Sequence, residues 1–238
     1  MAKLGIAVFL IALALITRDL IAEGASDGLV SSVDHLVYAS PDMNRGVAEI
    51  EAILGVRPVP GGQHLGLGTR NALIALGAET YLEVFAPDPE QPTPSQPRPY
   101  GLDNLKASRL VAWFVKGHNL EQLRTAAIRK GVPLGEIKPG GRKQDGIQLS
   151  WLFTDPWSPV ADEIVPRFIN WGTSPHPAHN APKGALLVSL RAEHPDVKHV
   201  QRMLHQVGVG LPVVCGPKPA LIAVIDSLRG RVELRSDK

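Results

Sequence analysis

The chain has 238 residues, enough for one large domain or two small ones with a proper core. Its 25 lysines and arginines against 23 aspartates and glutamates leave a formal net charge of +2, which points away from nucleic acid as a partner. A 44% hydrophobic share with 20% charged residues excludes a disordered chain, and a single cysteine, Cys215, excludes both an intramolecular disulfide and a cysteine-rich metal site.

The N-terminus stands apart. Lys3 precedes an uncharged run, Leu4 to Ile16, too short to span a bilayer comfortably but suited to the apolar core of a signal peptide. Thr17-Arg18-Asp19 then places charge ahead of the small residues Ala22 and Gly24, where cleavage would fall. Residues 1–28 are therefore read as a signal peptide or an N-terminal membrane-associated helix. Either reading makes the protein secreted, exported or membrane-associated.

From residue 29 the elements recur. A β-like run, Val33 to Tyr38, leads to Ser40-Pro41-Asp42, where Ser40 is the expected N-cap and Pro41 the first helical residue. Met43, Val47, Ile50 and Leu54 follow at helical spacing, and Gly55 closes the helix. Further strands are expected at Ala72 to Leu76 and Thr80 to Phe85. Residues 86–99 carry six prolines, a stiff solvated connector that serves as a spacer or a rim loop. A second strand, Leu110 to Val115, precedes a helix beginning at Asn119, with Leu120, Leu123, Ala127 and Ile128 as its apolar stripe. Strands are expected at Ile147 to Phe153 and Ile164 to Trp171. The third copy runs from Leu186 to Leu190, through a helix from Pro195-Asp196 bearing Val197, Val200, Leu204 and Val207, to strands Ala220 to Ile225 and Arg231 to Leu234. Cys215, in the apolar run Pro212 to Cys215, is read as a buried structural thiol.

Each helix ends at a glycine followed by valine, and Gly55, Gly131 and Gly208 are separated by 76 and 77 residues. That spacing argues for a repeated β-α-β-β-β unit and an α+β fold. The boundaries expected are a two-unit domain over 29–173 and a third, divergent unit over 174–238 packed on it.

This unit order resembles the vicinal oxygen chelate superfamily of glyoxalases, bleomycin-resistance proteins and extradiol dioxygenases, and more narrowly its glyoxalase-like domain branch. The resemblance rests on Val33-Asp34-His35-Leu36-Val37-Tyr38 with Pro41-Asp42, on Gly61-Gly62-Gln63-His64 with Gly68-Thr69-Arg70-Asn71-Ala72-Leu73, and on Tyr81-Leu82-Glu83 with Ala86-Pro87-Asp88. It continues more faintly in Phe168-Ile169-Asn170-Trp171. It implies a cup-shaped mixed sheet around a small-molecule site, closed within one chain or by a second copy in a homodimer.

The resemblance also implies a divalent metal held by the first and last strands of each unit, here His35 and Glu83. The second unit offers Ala112 or Val111 and then Asn170, so two good ligands and one poor one argue against a tight site. Without metal, His35 and Glu83 remain an acid-base couple or a polar anchor, or a structural pair. His64, Thr69, Asn71, Trp113 and Asn170 are the expected substrate contacts, with His64 in a loop at the mouth. The stretch Gly66 to Asn71 nearly spells a dinucleotide loop, but no helix follows it, so its glycines are read as a flexible strand-to-strand connection. His176-Pro177-Ala178-His179 has metal-pair spacing, yet its prolines bar the helix that would align the rings. The functional expectation is a glyoxalase-like enzyme acting at a carbonyl or diol as isomerase, lyase or oxygenase. The rival is a non-catalytic binder that sequesters a ligand in the same cup.

Overall fold

The computed structural model describes residues 28–144 and 146–237; the N-terminal hydrophobic segment lies outside them. Among the described residues no helix is long and apolar enough to cross a membrane.

The first unit is β1 (Val33–Ala39), α1 (Met43–Leu54), β2 (Val59–His64), β3 (Thr69–Gly77) and β4 (Thr80–Pro87). The second is β5 (Arg109–Lys116), α2 (Leu120–Arg129), β6 (Ile137–Gln144), β7 (Ile147–Thr154) and β8 (Arg167–Asn170). All eight strands join one sheet in the order β2-β3-β4-β1-β5-β8-β7-β6. Each unit contributes the same pattern, with its first strand parallel to its last, and the units meet where β1 runs antiparallel to β5. The sheet curls until its edges meet. A Cβ on Gly62 of β2 would lie 2.7 Å from the Lys143 carbonyl of β6. The cup thus closes within a single chain.

The third unit is β9 (Ala185–His194), α3 (Val197–Gln206), β10 (Val213–Cys215), β11 (Ala220–Ser227) and β12 (Gly230–Arg235). Its four strands form a separate sheet in the order β10-β9-β11-β12. The element order matches the other units but the pairing does not, because β11 lies beside the first strand rather than beside the last alone. Divergence here is topological.

One core holds the molecule together. The outer face of β1, β3, β4 and β5 packs against α1, α2 and the third sheet through Leu36, Ile74, Leu82, Trp113, Leu190 and Ala223, all buried. Burying Met43, Val47, Ile50 and Leu54 on one stripe fixes α1 against the sheet, as the spacing predicts. On α2 the stripe is narrower, since Leu120 and Ala127 are buried but Ile128 is 45% exposed.

Local chemistry corrects several expectations. The N-cap of α1 is Asp42, whose side chain accepts from the Arg45 N–H, while buried Ser40 donates its hydroxyl to the Asp42 carbonyl at 2.7 Å. Asn119 caps α2 as expected, and Asp196 caps α3. Strands β2, β6 and β10 escaped the sequence reading. The first two, VPGGQH and IKPGGRKQ, carry proline, glycine and charge because they are the lips of the cup. Expected strand Ile164 to Trp171 shrinks to Arg167–Asn170. Cys215 is exposed, because the run that contains it forms the edge strand of the small sheet.

Candidate functional site

The cup encloses a cavity of about 500 Å³, mouth included, lined among others by His35, His64, Asn71, Tyr81, Glu83 and Arg142. Strand parity explains the set. Register pairs His35 with Tyr81 and Phe114, Val37 with Glu83, and Leu73 with Glu83, so these alternate residues share the inner face. Aromatic rings supply the remaining wall: Phe85, Tyr100, Phe114, Trp151, Phe153 and Trp171.

His35 is fixed on every side. Its ring is stacked between Tyr81, with centroids 4.6 Å apart, and Phe114 at 4.2 Å. Its Nδ1 lies 2.7 Å from Asp34 Oδ1. Asp34 reaches the same side as its neighbour because the β1–β5 register slips between Val33 and His35, a bulge that re-aims the side chain. The apolar partners of β1 record the slip, since Val33 and Leu36 both belong to the outer core although three residues apart. Asp34 also accepts from Trp171 Nε1 at 3.1 Å and lies 3.3 Å from His176 Nε2. Burial alone would raise this carboxyl, but the hydrogen bonds from His176 and His35 outweigh it and hold the pKa at about 2. An ionised Asp34 keeps the His35 proton on Nδ1, which leaves the Nε2 lone pair facing the cavity.

Across that space stands Glu83, its Oε2 3.9 Å from His35 Nε2. The gap is too long for a hydrogen bond. Glu83 Oε1 accepts from Asn71 Nδ2 at 2.6 Å, and the same amide nitrogen lies 3.2 Å from His64 Nε2. His64 Nδ1 is 3.1 Å from the Thr69 hydroxyl. The chain of contacts assigns one tautomer: Nδ1–H donates to Thr69, and Nε2 accepts from Asn71. Burial pushes the His64 pKa down to about 4, Glu83 partly countering and Arg142 assisting, so the ring is neutral at pH 7.

The expected site residues divide accordingly. His35, Glu83, His64 and Asn71 meet in the cavity. His64 is not in a mobile loop over the mouth; it ends β2, is buried, and is hydrogen-bonded on both nitrogens. Thr69 is fully buried behind His64 and supports it without lining the cavity. Trp113 points the other way, into the outer core, with Nε1 donating to the Ile164 carbonyl at 3.0 Å. Asn170 also lies off the site: its amide donates to the His118 carbonyl at 2.5 Å, and its oxygen accepts from Gly172 N–H. The inner positions are Ile169 and Trp171, one residue to either side, and a one-residue slip in a strand exchanges its faces.

Sequence reading missed Asp34, Arg142 and Arg167. Asp34 was visible as the lone carboxylate inside an apolar strand beside a histidine. Arg142 reaches the cavity from β6, where proline and glycine hid the strand. Arg167 completes the comparison of the units. Glu83 pairs with Val37, two residues after His35. Phe114, two after Ala112, pairs with Arg167. Ala112 stands seven residues before the N-cap Asn119, as His35 stands before Asp42. The second unit therefore presents a methyl group and a guanidinium where the first presents imidazole and carboxylate. Arg167 is ion-paired with Glu163 and lies over the Tyr100 ring, 5.0 Å from its centroid. A cation at that place does not suit a chelated metal, and among the described residues no three His, Cys, Asp or Glu side chains converge as a metal site would require. The donor set does not fit the ion that the resemblance implied.

The rim is built from the proline-rich connector. Arg98 donates to the Gly68 carbonyl at 2.8 Å, and Trp157 Nε1 donates to the Pro97 carbonyl at 2.7 Å. Gly66 and Gly68 have positive φ, so these glycines make the tight β2–β3 turn on which the connector rests.

A cup formed by two βαβββ units of one chain defines the vicinal oxygen chelate class. Within it, the chain belongs to the glyoxalase-like domain family, whose model matches residues 33–208. A hypothetical protein from Staphylococcus aureus shares the fold, with a TM-score of 0.56 at 12% identity over 85% of this chain and 84% of that one. Also similar are methylmalonyl-CoA epimerase from Mycobacterium tuberculosis, with a TM-score of 0.40 at 18% identity over 59% of this chain and 87% of that one, and a mutant 4-hydroxymandelate synthase from Streptomyces coelicolor, with a TM-score of 0.46 at 12% identity over 86% and 62%. No curated protein matches the chain in sequence.

Proposed function

We propose that the cup is the active site of a small-molecule enzyme that moves a proton beside a carbonyl, the isomerase or lyase end of the glyoxalase-like range. The observation that carries this reading is the Asp34–His35 pair, with Nε2 and Glu83 Oε2 facing one another across 3.9 Å inside an aromatic cavity. A substrate C–H lying over this pair, within reach of Nε2, would lose its proton to His35, whose imidazolium Asp34 would stabilise. Glu83, beside His35 at 3.9 Å, is placed to exchange a proton at an adjacent atom of the same substrate. Asn71, itself held by neutral His64, keeps Glu83 in place. The mismatch between the donor set and a chelated metal favours acid-base chemistry over oxygenase chemistry.

The test is hydrogen exchange. α-Hydroxyketones and β-dicarbonyl compounds incubated with the protein in D₂O should lose their carbon-bound proton signal in ¹H NMR. His35→Gln should abolish the effect. If the native protein accelerates no exchange in any of them while still binding one, the cup is a sequestering site, a reading that the close packing of His35 between two rings also accommodates. The N-terminal hydrophobic segment supports placing this activity outside the cell or at a membrane, which fractionation of the expressed full-length chain would check.

A further inference from the structure

Arg142 is 2% exposed and lines the cavity. A guanidinium has five N–H donors. Among the described residues it makes one side-chain hydrogen bond, from Nη1 to Asn71 Oδ1 at a long 3.4 Å, and no carboxylate lies within ion-pair distance. Burying a charge with so few partners is costly unless something completes the set. The neighbours cannot do it. Asn71 Oδ1 is only a long contact, and Glu83, the cavity carboxylate whose charge acts on Arg142, already accepts from Asn71 and forms no ion pair with the guanidinium. The chain also keeps room for this arginine, since a Cβ on Gly61 would lie 2.5 Å from Arg142 Nη1 and 2.3 Å from Asn71 Oδ1.

We infer that the cup takes a small planar ligand bearing a carboxylate, and that Arg142 is the group that holds it. The proposal deepens the reading of the cup as a ligand site but does not depend on its proton chemistry. The aromatic walls select a flat body, and the guanidinium, which shares the cavity with Glu83 but has no carboxylate within ion-pair distance, selects the anion. It would take over the charge-stabilising role that a chelated ion cannot fill here. The carboxylate would lie near the seam of β2 and β6, with the reacting carbon over the gap between His35 and Glu83.

The probe pair is benzoate and benzamide, equal in shape and different in charge, titrated against the full-length chain by tryptophan fluorescence. Benzoate should bind at least about tenfold more tightly, the value of one charge-assisted contact. That preference should hold from about pH 6 to pH 9, where both arginine and benzoate stay ionised. Arg142→Met should bring the ratio close to one by weakening benzoate far more than benzamide, and Gly61→Ala, which crowds the guanidinium, should shrink it. Arg142→Lys, which keeps charge but loses the fork, should fall between and serves if Arg142→Met does not fold. Equal affinities in the native protein, no saturable benzoate binding, or a preference that survives Arg142→Met would overturn the proposal. So would a preference fading between about pH 6 and pH 8, the signature of a protonated histidine. Proton exchange without benzoate selectivity would defeat this inference alone, and benzoate selectivity without exchange would defeat only the proposed chemistry.

Discussion

The two halves of the cup have one topology and two chemistries. Strands β1–β4 bring imidazole and carboxylate to the inner face through His35, His64 and Glu83, with Asn71 and the bulged Asp34 holding them. Strands β5–β8 bring Ala112 and Arg167 to the matching positions, and Arg142 with a wall of aromatic rings besides. What repetition preserved is the part that packs: capped helices, a parallel first and last strand, and an apolar outer face. The inner face carries no such constraint, because a cavity tolerates any side chain that finds a partner. On the proposed reading, one half would handle the proton and the other would receive the body and charge of a ligand.

The largest expected effects break that division of labour. His35→Gln should slow proton exchange by about 10²- to 10⁴-fold, the range for loss of a positioned base. Ala112→Ser, at the matching place in the other half, should change the rate only a few-fold. A comparable loss from both would mean that the halves share the chemistry. Next comes the contrast between the two faces of the second half. Trp113→Ala empties a fully buried site in the outer core and should cost about 3–5 kcal/mol in urea unfolding. Trp151→Ala, in the cup wall, should cost less stability and more exchange activity. The opposite ranking would return Trp113 to the site.

Acid should act through the first half. The folded pKa of His64 lies below its ordinary 6.5, at about 4, because burial disfavours the charged ring. Folding therefore resists its protonation, and stability of about 3 kcal/mol, present above pH 6.5, drains away as the pH falls towards 4. Asp34 follows at lower pH. Its carboxyl is held at about 2 against an ordinary 3.8, so about 2 kcal/mol present above that value is lost on descending to 2. Urea midpoints measured down the pH scale should show the first loss disappear in His64→Gln and the second in Asp34→Asn. A slope unchanged in both variants would place the acid sensitivity elsewhere.

How much of this was legible depended on what each residue packs against. Helix stripes and buried strands announce themselves, because water drives Ile50, Leu82 or Trp113 inward whatever the ligand. Asn119 and the terminal glycines Gly55, Gly131 and Gly208 were readable for the same reason, since backbone demands are local. His35, Glu83, His64 and Asn71 were named through the resemblance, and all four line the one cavity. Asn170 failed on parity, because an eight-residue apolar run does not say which residues face inward. Asp34 depended on a bulge, and Arg142 on strand β6, whose Pro139, Gly140 and Gly141 answer to the lip of the cup rather than to strand propensity. A Cβ on Gly140 would lie 2.2 Å from Trp151 Nε1, so that glycine is set by an aromatic wall a sequence pattern does not display.

The smallest effect is the one in which the halves should agree. Asp42 and Asn119 cap α1 and α2, each accepting from the backbone N–H three residues on, at 2.8 Å and 3.0 Å. Both are exposed, so neither substitution leaves a cavity. Replacing either with alanine leaves one helix-terminal N–H without its side-chain partner, worth about 1 kcal/mol. Asp42 adds a full negative charge at a helix N-terminus, where Asn119 has only a dipole, so its loss should exceed the other by a few tenths of a kcal/mol at low salt and match it at high salt. Neither change touches the inner face, and proton exchange should be unaltered in both. A cap substitution that slowed exchange would show that the helices set the geometry of the cup, and that repetition preserved them for function as well as for packing.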